Sequence, residues 1–283
     1  MSETERMDTF RKNTGLRLFL QTVWARAYPR IVAQQREKSW LFFDVVLPMT
    51  AVASYVFVYR AIHAPEEYIG FVVMGGAMTA FWMNILWSMS SQLYWEKEQG
   101  NLALFIIAPN SLMAVLLGMA VGGLLATTLR ALVITLLGSW LFQVSYVFTS
   151  FWQLFLVFVL TMVALYGMGM MFASVFLLLS REAWHLSNLA QEPVYLLSGF
   201  YFPVRNFDFW IAAGASVIPL TLGLDAMRQL VFAGKETLGF LSVALEMKIL
   251  AGLCFVFLFA AKYLLATMEK LAIREGRLTE NRR

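Results

Sequence analysis

The sequence predicts an all-α integral membrane protein with six transmembrane helices, an N-terminal amphipathic interfacial helix, and an external re-entrant helical hairpin between spans five and six. Three observations carry that reading. Of 283 residues, 60% are hydrophobic and 14% charged, against roughly 45–50% and about 25% in a soluble domain, so apolar side chains must face lipid or one another. The apolar residues fall in runs of about 20 or more, the length that crosses a bilayer. Lys and Arg gather at the two ends of the chain, which orients such runs across a membrane.

Residues 1–38 form a basic tail, expected in the cytoplasm. Within it Leu16, Phe19, Leu20, Val23, Trp24, Ala27 and Ile31 recur at three- and four-residue spacing, with Arg17, Gln21, Arg26 and Arg30 between them. That pattern predicts an amphipathic helix over 16–36 with its basic side among lipid headgroups. Trp24, Phe19 and Tyr28 favour the same place; a solvated helix on cytosolic protein is the alternative. Pro29 is expected to kink or divide the helix.

The transmembrane domain covers 39–267. Its first span is about 40–59 and its second about 69–94, followed by the charged stretch Glu96–Asn101 and a short apolar segment to Pro109. The third, about 112–141, holds Gly118 and Gly122, a small-xxx-small spacing that admits a close neighbour. The fourth is about 151–179 and the fifth about 184–203. Residues 207–218 are apolar but reach only about 18 Å as a helix, short of the roughly 30 Å hydrocarbon core. The stretch stops at Pro219 and resumes to 233. Two such pieces read as a re-entrant hairpin; one kinked span is the alternative and would make the count seven. The last span is about 244–267, and a charged tail, 268–283, follows.

Charge decides between six and seven. Lys and Arg crowd residues 1–38 and the tail, and Lys97 and Arg181 share that side in a six-span plan, whereas Arg60, Arg205, Arg228 and Lys235 lie on the other. The positive-inside rule then favours six spans with both termini cytoplasmic. The first 38 residues lack an apolar h-region and a small-residue cleavage site, so no signal peptide is expected.

Chemistry-bearing residues are sparse. Cys254 stands alone in an apolar run, and His63 and His185 are far apart, so neither a disulfide nor a metal site is expected. No clustered acid, base and nucleophile suggests an intramembrane enzyme, and no internal repeat suggests a secondary transporter. The chain has no G-x-x-x-x-G-K-[ST] phosphate cradle, so any ATP is expected on another chain. Arg130, about 27 Å along the third span, is expected to snorkel near the outer interface. Glu192, about 12 Å into the fifth, is the odd carboxylate: protonated, facing a hydrated cavity, or contacting substrate. Their different depths argue against a mutual pair, and both are candidates for a translocation path. Asp225 and Arg228, at i and i+3, can pair on one helix face. Glu246, Lys248 and Lys262 near the ends of the last span are expected to snorkel.

Three motifs carry a family resemblance. Trp95-Glu96-Lys97-Glu98-Gln99-Gly100-Asn101-Leu102, closing at Ala108-Pro109, resembles the Glu-x-Gly-Thr-Leu…Pro segment of ABC-2 type transporter permeases. Leu197-Ser198-Gly199-Phe200-Tyr201-Phe202-Pro203 is similar to their Ser-Gly-x-x-Phe-Pro signature. Ile218-Pro219-Leu220-Thr221 and Leu224-Asp225-Ala226-Met227-Arg228 resemble their Pro-x-Thr…Ala-x-Arg stretch. The drug-resistance and lipooligosaccharide exporters look closer than the O-antigen type. Asn101 stands where Thr is common, and Glu192 where apolar residues are usual.

The resemblance implies the membrane half of an ATP-driven exporter in a prokaryotic inner membrane, moving an amphipathic, lipid-linked or drug-like substrate, with a glycan as the alternative. A second copy or related permease would pair with it. Two ATP-binding subunits would bring ATP and Mg, with no cofactor on this chain. It implies that Glu96, Lys97, Glu98, Gly100, Asn101 and Pro109 couple to the ATPase, as a lever helix whose acidic start suits a helix N-terminus and which Pro109 ends. Pro203, Pro219, Asp225 and Arg228 would belong to the external hairpin, acting as a lid over the exit.

Overall fold

A computed structural model of the chain describes residues 15–36, 38–107, 111–179, 182–232 and 239–275. Helix α1 is Leu16–Arg36, α2 Lys38–Ala61 and α3 Glu67–Met83. The last runs on through a π-helical segment, Asn84–Ser90, into α4, Gln92–Glu98. Then come α5 Leu102–Ile107, α6 Leu112–Phe142, α7 Phe151–Leu179, α8 Glu182–Leu197, α9 Phe209–Ala215, α10 Pro219–Val231 and α11 Val243–Glu275. Local chemistry sets several of these limits. Ser111 caps α6 by accepting the Met113 N–H at 3.1 Å, as a hydroxyl does at a helix start. Pro219 opens α10, where a missing N–H costs nothing.

Among the described residues, five helical stretches are long and apolar enough to cross a membrane: Phe42–Ala61, Glu67–Glu98, Leu112–Phe142, Phe151–Phe176 and Val243–Met268. They match the expected spans one to four and the last. The expected fifth span needs correction. Its helix is α8, only 16 residues, or about 24 Å; it gives way to a turn at Ser198-Gly199, where Gly199 adopts φ +70°. The stretch 207–231 is two helices, α9 and α10, bent by 106°. Counting that pair as one span would bring the number to six.

The second span is the axis of the bundle. Of its apolar window 83% is buried, against 11% for the first span. Phe71, Phe81, Trp82, Ile85, Leu86 and Met89 fill its surroundings, with α6 and α7 against it, α11 along α7, and α2 covering one side. The exposed Phe42, Phe43, Leu47 and Phe57 of α2, and Phe255 and Phe259 of α11, suit a lipid boundary.

Helix α1 lies along the first half of α6. A Cβ on Gly118 or Gly122 would strike the backbone of Val23 or Ala27, so the partner of the small-xxx-small spacing is α1. Here one expectation is corrected. Leu16, Leu20, Trp24 and Tyr28 form the outward stripe, while Arg26 and Arg30 turn inward to partners in the bundle. Of the two outcomes expected at Pro29, division does not occur: the helix runs through it. The carbonyl that loses a donor there belongs to Ala25, and both residues are exposed, so the surroundings can satisfy it.

Candidate functional site

Between α4 and α5 the chain makes an elbow. Gly100, at φ +77°, supplies the left-handed residue that closes a helix, and its N–H donates to the Lys97 carbonyl at 3.0 Å. The Asn101 N–H donates to the Glu96 carbonyl at 2.9 Å, which aims the Asn101 side chain back at Glu96. The buried Glu96 carboxylate collects three donors: Gln92 Nε2 at 3.0 Å and the Arg26 guanidinium at 3.3 Å on Oε1, and Asn101 Nδ2 at 3.1 Å on Oε2. Arg26 also lies 4.1 Å over the Phe105 ring. One carboxylate thus ties α1, α4 and α5 together.

This geometry corrects the expected lever. Glu96 lies in the last turn of α4 and opens no helix, because the second span continues through its π segment to Glu98. The segment is two short helices about a glycine turn, and Pro109 lies outside the described residues. Glu96 and Asn101 face inward, and Lys97 is half-buried. Trp95, Glu98, Gln99, Gly100 and Leu104 form the exposed rim.

Behind the elbow, the π segment aims polar groups at its neighbours, as such widened turns often do. The Tyr166 hydroxyl donates to Asn84 Oδ1 at 3.2 Å, Arg30 donates to the Ser88 hydroxyl, and Trp87 Nε1 donates to Gln191 Oε1 at 3.0 Å. Burial foremost pulls the Arg30 guanidinium below its ordinary pKa; Tyr166 opposes this, while Arg130 and Arg26 add to it. Arg130 is not a snorkelling residue here: its side chain is 14% exposed and pairs with Asp44 of α2. Asp44 escaped the sequence reading, although a carboxylate inside an apolar span is a signal in itself. Glu192 is exposed on α8, touched by Gln191 Nε2 at 3.3 Å, and is not brought to Arg130.

At the other end of the molecule, α10 carries the buried Arg228. Its guanidinium donates to the carbonyls of Gly199 at 2.6 Å, Phe71 at 2.8 Å and Phe200 at 2.8 Å, and lies 4.8 Å from the Phe71 ring centroid. Gly75 leaves room on α3 for the Phe200 carbonyl. Arg228 therefore pins α10 to α3 and to the turn that ends in the buried Pro203. Asp225 makes no ion pair with it among the described residues, contrary to the i, i+3 expectation. Asp225 instead accepts the Phe240 N–H at 2.8 Å and Gln229 Nε2 at 3.1 Å. Glu246 is fully buried beside them and does not snorkel, whereas Lys248 and Lys262 are exposed. The loop after α6 is stitched to the end of α10 by Val147 N–H to Val231 O and Thr149 N–H to Leu230 O, both 2.9 Å. Among the described residues no three His, Cys, Asp or Glu are grouped to hold a metal ion.

These elements coincide with a known family pattern. The family model described as ABC-2 type transporter matches residues 20–232, from α1 through the end of α10. The chain is also similar to the "Probable multidrug ABC transporter permease YbhR" of Escherichia coli strain K12, 25% identical over 135 residues, which are 48% of this chain and 36% of that relative. The protein of that name in Escherichia coli O157:H7 matches equally. The match thus spans about a third of those relatives' length.

Proposed function

The chain belongs to the ABC-2 type transporter family, and from that premise we propose that it is the permease subunit of an ATP-driven exporter in the cytoplasmic membrane of a prokaryote. Both termini lie in the cytoplasm, two copies pair, and two ATP-binding subunits dock at the two elbows, bringing ATP and Mg. The observation that supports this reading most is the elbow itself: a buried carboxylate node under an exposed rim of Trp95, Glu98, Gln99 and Leu104. A force on that rim has a defined route. Glu96 hands it to α1 through Arg26 and to the continuous second span through Gln92, so the push of a closing ATPase reaches the bundle interior. A disordered loop at this place would dissipate it.

The hairpin α9–α10 serves as the exit lid, with Arg228 as its fixed root. The exposed face of α8, with Leu189, Glu192 and Leu196, faces the second copy and the substrate route. An amphipathic or drug-like cargo suits that mix of apolar surface and a single carboxylate. The test is co-expression with a candidate ATP-binding subunit and capture on a tag carried by the permease. Wild-type chain retains the subunit, and Trp95→Ala combined with Leu104→Asp releases it without loss of folded permease. A chain that captures no ATP-binding subunit under any condition ends the proposal.

A further inference from the structure

Helix α8 turns a mixed face outward. Where α2 is exposed it shows Phe42, Phe43 and Leu47, side chains suited to acyl chains. Along α8 the exposed residues are His185, Asn188, Leu189, Glu192, Pro193 and Leu196. Their spacing by threes and fours puts them on one helix face. A face that interleaves leucine with an imidazole, an amide and a carboxylate is a poor lipid boundary. It suits a ligand that is itself part apolar and part polar.

The polar part of that face is rich in acceptors. Among the described residues Glu192 receives one donor, Gln191 Nε2 at 3.3 Å, and joins no ion pair. Glu96 and Asp44, by contrast, each hold an arginine. Gln191 is itself held, because its Oε1 accepts Trp87 Nε1 at 3.0 Å. The π segment of the second span thus positions the amide that steadies the carboxylate. Pro193 supplies a second acceptor. It has no N–H, so the carbonyl of the exposed Leu189 loses its helical donor, three residues before Glu192. His185 lies two turns from Glu192, about 10 Å along the axis, too far to neutralise it by contact.

Aromatic rings adjoin the carboxylate. Tyr195 follows Glu192 by three residues, which makes the two neighbours on the helix surface. From Tyr195 the rings run in contact to α2: Tyr195 to Phe200 at 5.6 Å, Phe200 to Tyr201 at 6.5 Å, and Tyr201 stacked on Tyr55 at 4.2 Å. Tyr195 and Tyr55, at the two ends, stay half-exposed. A carboxylate beside electron-rich ring faces attracts a cation, and an organic one most, because its apolar part lies on the rings and the leucines.

We propose that the exposed face of α8 is a recognition site for organic cations, with Glu192 as the counter-charge that selects them and Tyr195 and Tyr55 as the ring surface that holds their apolar part. That this site feeds a transport route rests on the reading under Proposed function; the binding itself does not. In a paired permease the second copy would bring its own Glu192 to the same route and strengthen the preference for positive charge.

The test uses the full chain in detergent, without an ATP-binding subunit, so loss of this site and loss of the ATPase partner are read separately. Tetraphenylphosphonium and tetraphenylborate have the same shape and opposite charge, and each is titrated by equilibrium dialysis. Wild type is compared with variants, so partition into the micelle cancels. Glu192→Gln should weaken binding of the phosphonium about fivefold and leave the borate unchanged or bound more tightly. Glu192→Lys should weaken the phosphonium further and strengthen the borate. Tyr55→Leu should weaken both ions alike, because both present the same rings. If Glu192→Gln gives no monodisperse protein, salt decides: added salt should weaken the wild-type phosphonium complex and not the borate complex. Several outcomes overturn the proposal: phosphonium binding no greater than to empty micelles, an equal change for both ions in Glu192→Gln, or an equal effect of salt on both. Unchanged phosphonium binding with an altered oligomer mass in Glu192→Gln overturns it in favour of a contact between copies.

Discussion

The elbow and the root of the hairpin each hang on one charged side chain with three polar partners, and they are built differently. Glu96 is held by Gln92, Arg26 and Asn101, all side chains, and Arg26 keeps 30% of its surface exposed. Arg228 is held by three backbone carbonyls with 2% exposure. Side-chain partners can rotate and exchange with water when the elbow is pushed. Carbonyls are fixed by the fold, and each one abandoned in a buried place costs the desolvation of an unpaired group. The molecule thus has an adjustable joint at one end and a fixed anchor at the other.

The largest effect expected from that contrast is at the anchor. Arg228→Met should destabilise the folded chain by about 3–5 kcal/mol, since three carbonyls lose a charged donor at once, read as a lowered unfolding midpoint and a poorer yield of monodisperse protein. Glu96→Ala should cost less, about 1–3 kcal/mol, because Arg26 can turn toward solvent. Equal losses in the two variants would break the comparison. Gly100→Ala keeps every partner and strains only the left-handed turn, by about 1–2 kcal/mol. It separates backbone strain from loss of the carboxylate node in the same unfolding assay. Glu98→Ala is the mildest, within about 0.5 kcal/mol of wild type. Its exposed carboxylate should matter only for capture of the ATP-binding subunit, so a stability loss like that of Glu96→Ala would mean the rim and the node are one structure.

Much of the site was legible in the chain and some was not, for identifiable reasons. The spacing of Gly118 and Gly122 announced a close neighbour, but many helices offer a matching face, and only packing chose α1. The acidic run at Glu96–Glu98 looked like a helix start because the apolar span thins out at Trp87–Trp95. The π segment carries the helix past that thinning, and hydropathy has no signature for a π turn. The inward turn of Arg26 and Arg30 was hidden for a related reason. An amphipathic pattern says which residues share a face, and leaves open whether protein or bilayer meets it.

The sequence by itself determined which segments can cross a membrane and where turns must fall. Those are one-dimensional properties: the bilayer demands a length of apolar chain, and glycine and proline act on their own backbone. The order of the apolar segments and the break at Pro219 follow from them, whereas the turn at Gly100 divides what read as a single lever helix and the expected fifth span is only 16 helical residues long. Only the tertiary structure decided which charges meet. Arg26 finds Glu96 across 70 positions and Arg228 finds Phe71 across 157, while Arg130 takes Asp44 and leaves Glu192 outside. A charge in a low-dielectric bundle must have a partner, and helix rotation and neighbour choice, which no local pattern encodes, select the one it gets.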